Sequence, residues 1–129
     1  MQRVRLNLLD IVVGYNLQYN MMSSERVSIE IYVAPSGKAP FKQWRGKLKD
    51  VVARQKIDAR IARVRAGNFG DHRSVGGGVS ELRIDYGPGY RIYYGIDGNT
   101  VVVLLCGGDK STQDPDIKMA QRYWKEYAG

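Results

Sequence analysis

The sequence is poor in the residues that most nucleophilic and metal-dependent sites require: its 129 residues include one cysteine and one histidine. Cys106 has no partner for an internal disulfide, so the fold does not depend on oxidation and we expect a cytoplasmic protein. It stands in the apolar run 101–106, where a buried strand thiol is expected rather than a nucleophile. With His72 as the single histidine, neither a zinc site of the usual ligands nor a serine triad is expected. We therefore predict no metal and no cofactor.

Long apolar segments are also missing. No run of about 18 uninterrupted apolar residues occurs, so no membrane span is predicted. Near the N-terminus, an apolar run is interrupted by Asn7 and Asp10, and no small-residue cleavage site follows it, so we do not interpret it as a signal peptide. Residues 1–24 have no clear period and are interpreted as a poorly ordered extension of a domain at 25–129. Met21 and Met22 offer an alternative natural start.

Positive charge is distributed unevenly along the chain, whose formal net charge is +7. From Lys38 to Arg73 there are 11 basic and 3 acidic residues, a net charge of +8, whereas the rest of the chain carries 9 basic and 10 acidic residues. A concentration of this kind indicates a surface for a polyanion or an acidic partner. A solvated helix face is the alternative.

Strands are predicted from apolar residues that recur with a period of two. This alternation occurs over 27–33, 80–85 and 90–95, and turn residues separate the last two segments. A nearly continuous apolar run at 100–106 is typical of a strand in the middle of a sheet, and Gly107 and Gly108 are predicted to end it.

Helices are predicted from proline position and from apolar residues at helical spacing. Pro40 suits the first turn of a short helix through Leu48, a second helix runs from about Asp50 to Ala66, and a third opens at Asp114. Trp44 and Trp124 are expected to anchor helices to the sheet. The order of elements predicts an α+β fold, with the two N-terminal helices and the C-terminal helix on one side of a twisted antiparallel sheet.

A basic ridge is predicted on the second helix. Lys56, Arg60 and Arg63 follow one another at i, i+4 and i+7, opposite an apolar stripe that would face the core. Together with Lys49, they form a candidate RNA-binding surface if an anionic partner exists.

Several motifs occur in a fixed order that resembles a known family. They are Phe69-Gly70, 74–84, Gly87-Pro88-Gly89 with the strand after it, 104–111, and Asp114-Pro115-Asp116-Ile117. The sequence is similar to the addiction-module killer proteins, HigB-like and phage-derived Gp49-like members of the RelE/ParE toxin superfamily. The likeness is collinear over roughly residues 28–127 and does not include residues 1–24.

The resemblance implies the toxin of a type II toxin–antitoxin system. It also implies a cognate helix-turn-helix antitoxin that covers the active face and brings the complex to operator DNA. Many relatives cut mRNA on the ribosome, so the ribosome and mRNA are the expected partners. Relatives of the ParE type instead inhibit DNA gyrase without catalysis, and an inactive relative that only binds its antitoxin is a further alternative.

Four side chains favour RNA cleavage. Attack of a ribose 2′-OH on the adjacent phosphate needs proton transfer and positive charge against the transition state. Arg83 and Arg91 are predicted to lie side by side across a tight turn and to bind phosphate, and Tyr93 shares a face with Arg91. Lys110 is the candidate proton-transfer group, and Tyr93 is expected to stack on a base or donate a proton.

Each of these residues also has a structural alternative. Arg83 can form a surface ion pair with Glu81 or Asp85, and Arg91 can do so across strands. Tyr93 can be a packing residue, and Lys110 can cap a loop. The sequence lacks the His/Glu pair of efficient nucleases, a feature that it shares with RelE-type toxins.

Overall fold

A computed structural model describes residues 26–129, and the extension predicted at residues 1–24 lies outside this range. The described part forms five strands, three helices and one 3-10 turn. In chain order they are β1 (Ser28–Ile31), α1 (Pro40–Lys47), α2 (Val51–Arg65), β2 (His72–Gly76), β3 (Val79–Ile84), β4 (Tyr90–Asp97), β5 (Val101–Asp109), the 3-10 turn (Lys110–Thr112) and α3 (Gln113–Ala128). This is the α+β class that the sequence predicted.

The sheet is mixed, with the strand order β1-β5-β4-β3-β2. Strands β2 to β5 form an antiparallel meander, but β1 pairs with β5 in parallel, with Ser28 opposite Val101. The prediction of an antiparallel sheet is therefore wrong for one pair. Parallel pairing requires a long crossover, and the elements between β1 and β5 supply it. The predicted central place of β5 is confirmed.

Helices cover both faces of the sheet, whereas the sequence predicted one. One core cluster joins Phe41 of α1 and Ile57 of α2 to Leu82 and Ile92. A second cluster joins Ala120 of α3 to residues of the opposite face. The strands β4 and β5 are buried on both faces. This explains why their sequences are nearly continuously apolar and why helices are needed on each side of the sheet.

Strand β2 was not predicted from the sequence. It is an edge strand in which four of five residues are exposed, so it lacks the apolar alternation by which strands are predicted. It begins at His72, which is exposed.

Strand β5 continues through its two glycines to Asp109, although they were expected to end it. A Cβ at Gly107 would lie 2.2 Å from the Trp44 ring, and one at Gly95 would lie 2.4 Å from the Trp124 ring. These glycines let an indole pack directly on each face of the sheet. The two tryptophans anchor helices on the sheet, as predicted.

Helix starts follow the signals in the sequence. Pro40 occupies the first turn of α1, and the carboxylate of Asp50 caps α2 by accepting hydrogen bonds from Val52 N (2.9 Å) and Ala53 N (3.1 Å). Among residues 26–129, no helix is both long and apolar enough to cross a membrane.

Candidate functional site

A polar cluster occupies the end of the α3 face of the sheet. Strand register places Arg83 of β3 directly opposite Arg91 of β4, and the neighbouring pair on the same face is Glu81 with Tyr93. Arg73 of β2 pairs with Glu81 from the other side. We call Arg73, Glu81, Arg83, Arg91 and Tyr93 the arginine cluster. The predicted neighbourhood of Arg83, Arg91 and Tyr93 is present.

Arg83 is paired with an acidic residue that the sequence analysis had not considered. Its Nε and Nη2 lie 3.0 and 2.6 Å from Oδ1 of Asp71, and its backbone N–H donates to the Asp71 carbonyl. The Arg83 hydrogen bond holds the pKa of Asp71 below its ordinary value, and the same bond raises the pKa of Arg83. Both side chains remain accessible, at 37% and 56% exposure. The guanidinium of Arg83 is therefore oriented by Asp71 and still partly accessible.

Glu81 lies at the centre of the cluster and is completely buried. Its Oε1 accepts a hydrogen bond from Arg73 Nε at 2.7 Å, and Gln113 Nε2 lies 3.1 Å from both carboxylate oxygens. Sequence reasoning treated Glu81 only as an alternative surface partner of Arg83. Glu81 follows Ser80 and shares the polar face of the alternation with Arg83, so the local sequence gives no signal of its burial.

The side chain of Arg91 is more enclosed than expected for an arginine that is freely accessible to phosphate. Its side chain keeps 12% exposure, and Nη1 donates to the carbonyls of Gly89 (3.3 Å) and Tyr90 (3.2 Å). Its Nε lies 4.0 Å from Oε1 of Glu81 and has no hydrogen-bond partner. The cross-strand ion pair that was the alternative for Arg91 is therefore present as a long contact, with an exposed edge remaining.

Tyr93 is fully buried beneath α3, so it does not stack on a base in this structure. Its hydroxyl has no hydrogen-bond partner. Burial raises the pKa of Tyr93, and the carboxylates of Glu81 and Asp116 add to the shift. The packing alternative fits this placement. Packing does not explain why the Tyr93 hydroxyl is buried beside charged groups without a hydrogen-bond partner.

Lys110 lies next to Arg91 although 19 residues separate them along the chain. It begins the 3-10 turn after β5 and is exposed. A Cβ built on Gly89 would lie 3.5 Å from both Lys110 Cβ and Arg91 Nη1, so the two cations flank this glycine. Asp109, not Lys110, caps the turn, by accepting from Ser111 N at 2.8 Å. Lys110 is thus exposed beside Gly89. We call this side of the arginine cluster, next to Gly89, its open end.

Arg60 does not belong to an exposed ridge, and this part of the sequence prediction is wrong. Arg60 is 5% exposed, and its guanidinium donates to the carbonyls of Phe69 (2.8 Å), Asp71 (2.6 Å) and Arg83 (2.6 Å). Burial lowers its pKa. Gly70, in the left-handed region at φ +63°, lets the chain bend over the guanidinium. Arg60 thus fixes the loop that carries Asp71.

The other three predicted RNA-binding residues, Lys49, Lys56 and Arg63, are exposed. Lys56 lies above the Tyr86 ring, with Nζ 5.2 Å from the centroid. They belong to the α2 side of the sheet, because α2 packs on the face opposite the arginine cluster. Lys56 and Arg63 therefore do not form one continuous surface with Arg83 and Arg91, since alternating strand residues point to opposite faces.

His72 and Cys106 are the residues for which the sequence predicted no chemical role. His72 pairs with Leu82, whose side chain belongs to the α2 face, and its ring packs near Phe69. Cys106 is buried, and desolvation raises the pKa of its thiol to about 12. Residues 26–129 contain no group of three or more histidine, cysteine or acidic side chains placed to hold a metal ion.

Comparison with known proteins identifies the family. Residues 44–125, which include the whole arginine cluster, match the sequence model of the family described as phage derived protein Gp49-like (DUF891). The chain belongs to this family. The Gp49-like family is of the RelE or addiction-module killer type, which suggests the toxin of a toxin–antitoxin system and a cognate antitoxin as partner.

An uncharacterized protein of Haemophilus influenzae is similar to this Gp49-like chain. The two are 57% identical over 81 residues, which is 63% of this chain and 82% of the relative. The likeness therefore extends over most of the relative's length.

Proposed function

We propose that this Gp49-like protein is a HigB-like toxin that cleaves mRNA on the ribosome. The observation that carries the proposal is the direct pairing of Arg83 and Arg91 with Lys110 beside them. Like charges placed opposite one another in a sheet destabilise it. A bound phosphate offsets this repulsion, and two guanidinium groups on rigid strands suit its geometry.

The proposed reaction is internal transfer at a phosphodiester. The ribose 2′-oxygen forms a bond to phosphorus, the bond from phosphorus to the 5′-oxygen breaks, and a 2′,3′-cyclic phosphate and a 5′-hydroxyl result. Arg83 and the exposed edge of Arg91 stabilise the charge on the phosphate oxygens. Lys110, as an ammonium group, gives a proton to the leaving 5′-oxygen, and the 2′-OH proton passes to solvent. Tyr93 supports Arg91 from beneath and does not contact the RNA.

We infer dependence on the ribosome because the open end of the arginine cluster lacks a general base. Glu81 is buried, and His72, the single histidine, belongs to the other side of the sheet. The cluster therefore has no imidazole to act as a general base. Holding the reacting groups in line lowers a barrier by positioning alone, and in this proposal the ribosome does so.

We assign a separate role to Lys56 and Arg63 of α2 and to Lys49, which precedes α2. Lys49, Lys56 and Arg63 lie on the other side of the sheet, so one RNA strand in the cluster does not reach them directly. They are placed to contact phosphates of ribosomal RNA while the arginine cluster contacts mRNA. The antitoxin, in the same proposal, is a helix-turn-helix protein that covers the arginine cluster and links the complex to operator DNA.

Induction in growing cells tests the function. Wild-type protein is expected to arrest growth and to fragment mRNA, whereas Arg83→Gln is expected to do neither. Arg122→Gln is the matched control, because it also removes one exposed arginine charge but lies outside the arginine cluster and outside the cations proposed to contact ribosomal RNA. Growth arrest with intact mRNA and damaged DNA would instead indicate a gyrase inhibitor. No growth effect from a folded protein would indicate an inactive antitoxin-binding relative.

A further inference from the structure

Glu81 is the one acidic residue among residues 26–129 whose side chain is fully buried. Burying an ionised carboxylate is costly unless charged partners and hydrogen bonds offset the lost hydration. The sheet could have carried an apolar residue here, as it does at Leu82 on the opposite face. The carboxylate therefore needs an explanation that involves its neighbours.

The neighbours of Glu81 come from three elements. Arg73 on β2 donates from Nε at 2.7 Å, Gln113 at the start of α3 lies 3.1 Å from both oxygens, and Arg91 Nε on β4 lies 4.0 Å away. Arg73 uses Nε for this bond while 51% of its side chain stays exposed. The bond thus fixes the orientation of a guanidinium whose accessible part faces outward.

We propose that Glu81 is a positioning residue that fixes Arg73 and Arg91, and that Arg73 is a third phosphate-binding arginine of the site. The second part rests on the proposed function. Glu81 has no exposed surface and does not touch RNA; it acts through the two arginines on either side of it. With Arg83 held by Asp71, each arginine of the cluster then has a carboxylate that orients it.

The first test uses NMR signals from the arginine side chains and does not depend on cleavage. Glu81→Gln keeps the shape of the side chain and removes its charge. We expect the Hε proton of Arg73, which is hydrogen-bonded to Glu81, to shift and to exchange with solvent about tenfold faster than in wild type, and the Hε proton of Arg91, which lies near Glu81 without a hydrogen bond, to shift. The Hε of Arg83, which Asp71 holds, is expected to be unchanged. Unchanged Hε signals at Arg73 and Arg91 would overturn the positioning role.

The second test is a double-mutant cycle that compares kcat for mRNA cleavage in two backgrounds. Glu81→Gln is expected to lower kcat for mRNA cleavage by about 10- to 100-fold through Arg91 and to raise KM through Arg73. In an Arg91→Ala background it should cause a much smaller further loss, because its effect passes through Arg91. Equal losses in both backgrounds would show a merely structural role. Glu126→Gln, which removes a carboxylate bonded to Tyr32 outside the cluster, is the control and should leave cleavage unchanged.

Arg73→Gln tests the phosphate contact at an exposed edge position, and its urea unfolding is measured beside binding because the variant also removes the charged partner of buried Glu81. It is expected to raise KM and to reduce the salt dependence of binding to a 2′-O-methyl RNA oligonucleotide, by a slope of about one. Unchanged binding would overturn the role of Arg73. If wild-type protein cleaves no RNA, the proposed function fails, and the NMR comparison still decides whether Glu81 positions the two arginines.

Discussion

Arg83 and Arg91 are directly opposite each other on two antiparallel strands, and each lies near a different carboxylate. Asp71 holds Arg83 at 2.6 Å, and Glu81 lies 4.0 Å from Arg91. Paired cations on neighbouring strands destabilise a sheet unless something compensates them. The two acids provide that compensation in the free protein, and an RNA phosphate provides it in the proposed complex.

Asp71→Asn is predicted to strengthen RNA binding. The ionised carboxylate competes with phosphate for Arg83, and the amide keeps an acceptor for the guanidinium without the negative charge. We expect a several-fold lower Kd for a 2′-O-methyl RNA oligonucleotide in fluorescence anisotropy. Asp58→Asn, which removes the carboxylate paired with Arg45 elsewhere, is the control. Weaker binding by Asp71→Asn would show that the charge of Asp71 contributes more to RNA binding by orienting Arg83 than it costs by competing with phosphate.

Arg60→Met is predicted to destabilise the fold strongly, by about 3 kcal/mol or more, because three carbonyls lose a charged donor in a buried place. Arg63→Met, three residues along the same helix but exposed, is expected to change the free energy of unfolding by about 0.5 kcal/mol or less. Urea unfolding of both variants measures the difference. Equal stabilities would contradict the structural role of Arg60.

Asp116→Asn is predicted to stabilise the protein at neutral pH. Burial raises the pKa of Asp116, and the charge of Asp109 adds to the shift, so the ionised form weakens the fold. This penalty is complete above the raised folded pKa and disappears below the ordinary value of about 4, where both states are protonated. The advantage of the variant in urea midpoint should therefore narrow as the pH falls towards about 4. An advantage independent of pH would contradict this account.

Gly107→Ala is predicted to destabilise the protein by about 1–3 kcal/mol, because its Cβ would overlap the Trp44 ring. Gly46 in α1 is the matched control, since a Cβ there meets nothing within 4 Å. Gly46→Ala is expected to be neutral or to stabilise by up to about 0.5 kcal/mol, since alanine favours helix. Thermal unfolding compares the two, and a similar loss of stability in both would count against close indole packing.

The sequence was sufficient to predict most elements and the neighbourhood of the arginines. Strands with clear alternation, the caps of the helices and the pairing of Arg83 with Arg91 across a turn all follow from local rules. Strand β2 did not, because an exposed edge strand has no apolar alternation. The sequence also did not predict that helices cover both faces of the sheet, because this depends on where α3 packs after strands β2 to β5.

The misplacement of Arg60 has a specific cause. The prediction grouped it with Lys56 and Arg63, opposite the apolar stripe, but Arg60 lies within the buried stripe of α2, and its long side chain reaches the carbonyls of the loop at 69–71. Likewise, sequence spacing relates Glu81 to Arg83, whereas its closest partners come from β2 and α3. Contacts between distant segments depend on tertiary packing, which local periodicity does not specify.

The most direct test of the central claim is primer extension on a defined mRNA in a purified translation system, with ribosomes present or omitted. We predict cuts within the coding region when wild-type protein and translating ribosomes are both present. The cuts should disappear without ribosomes and with the Arg83→Ala/Arg91→Ala variant. Intact mRNA after addition of folded wild-type protein to translating ribosomes would contradict the proposed function.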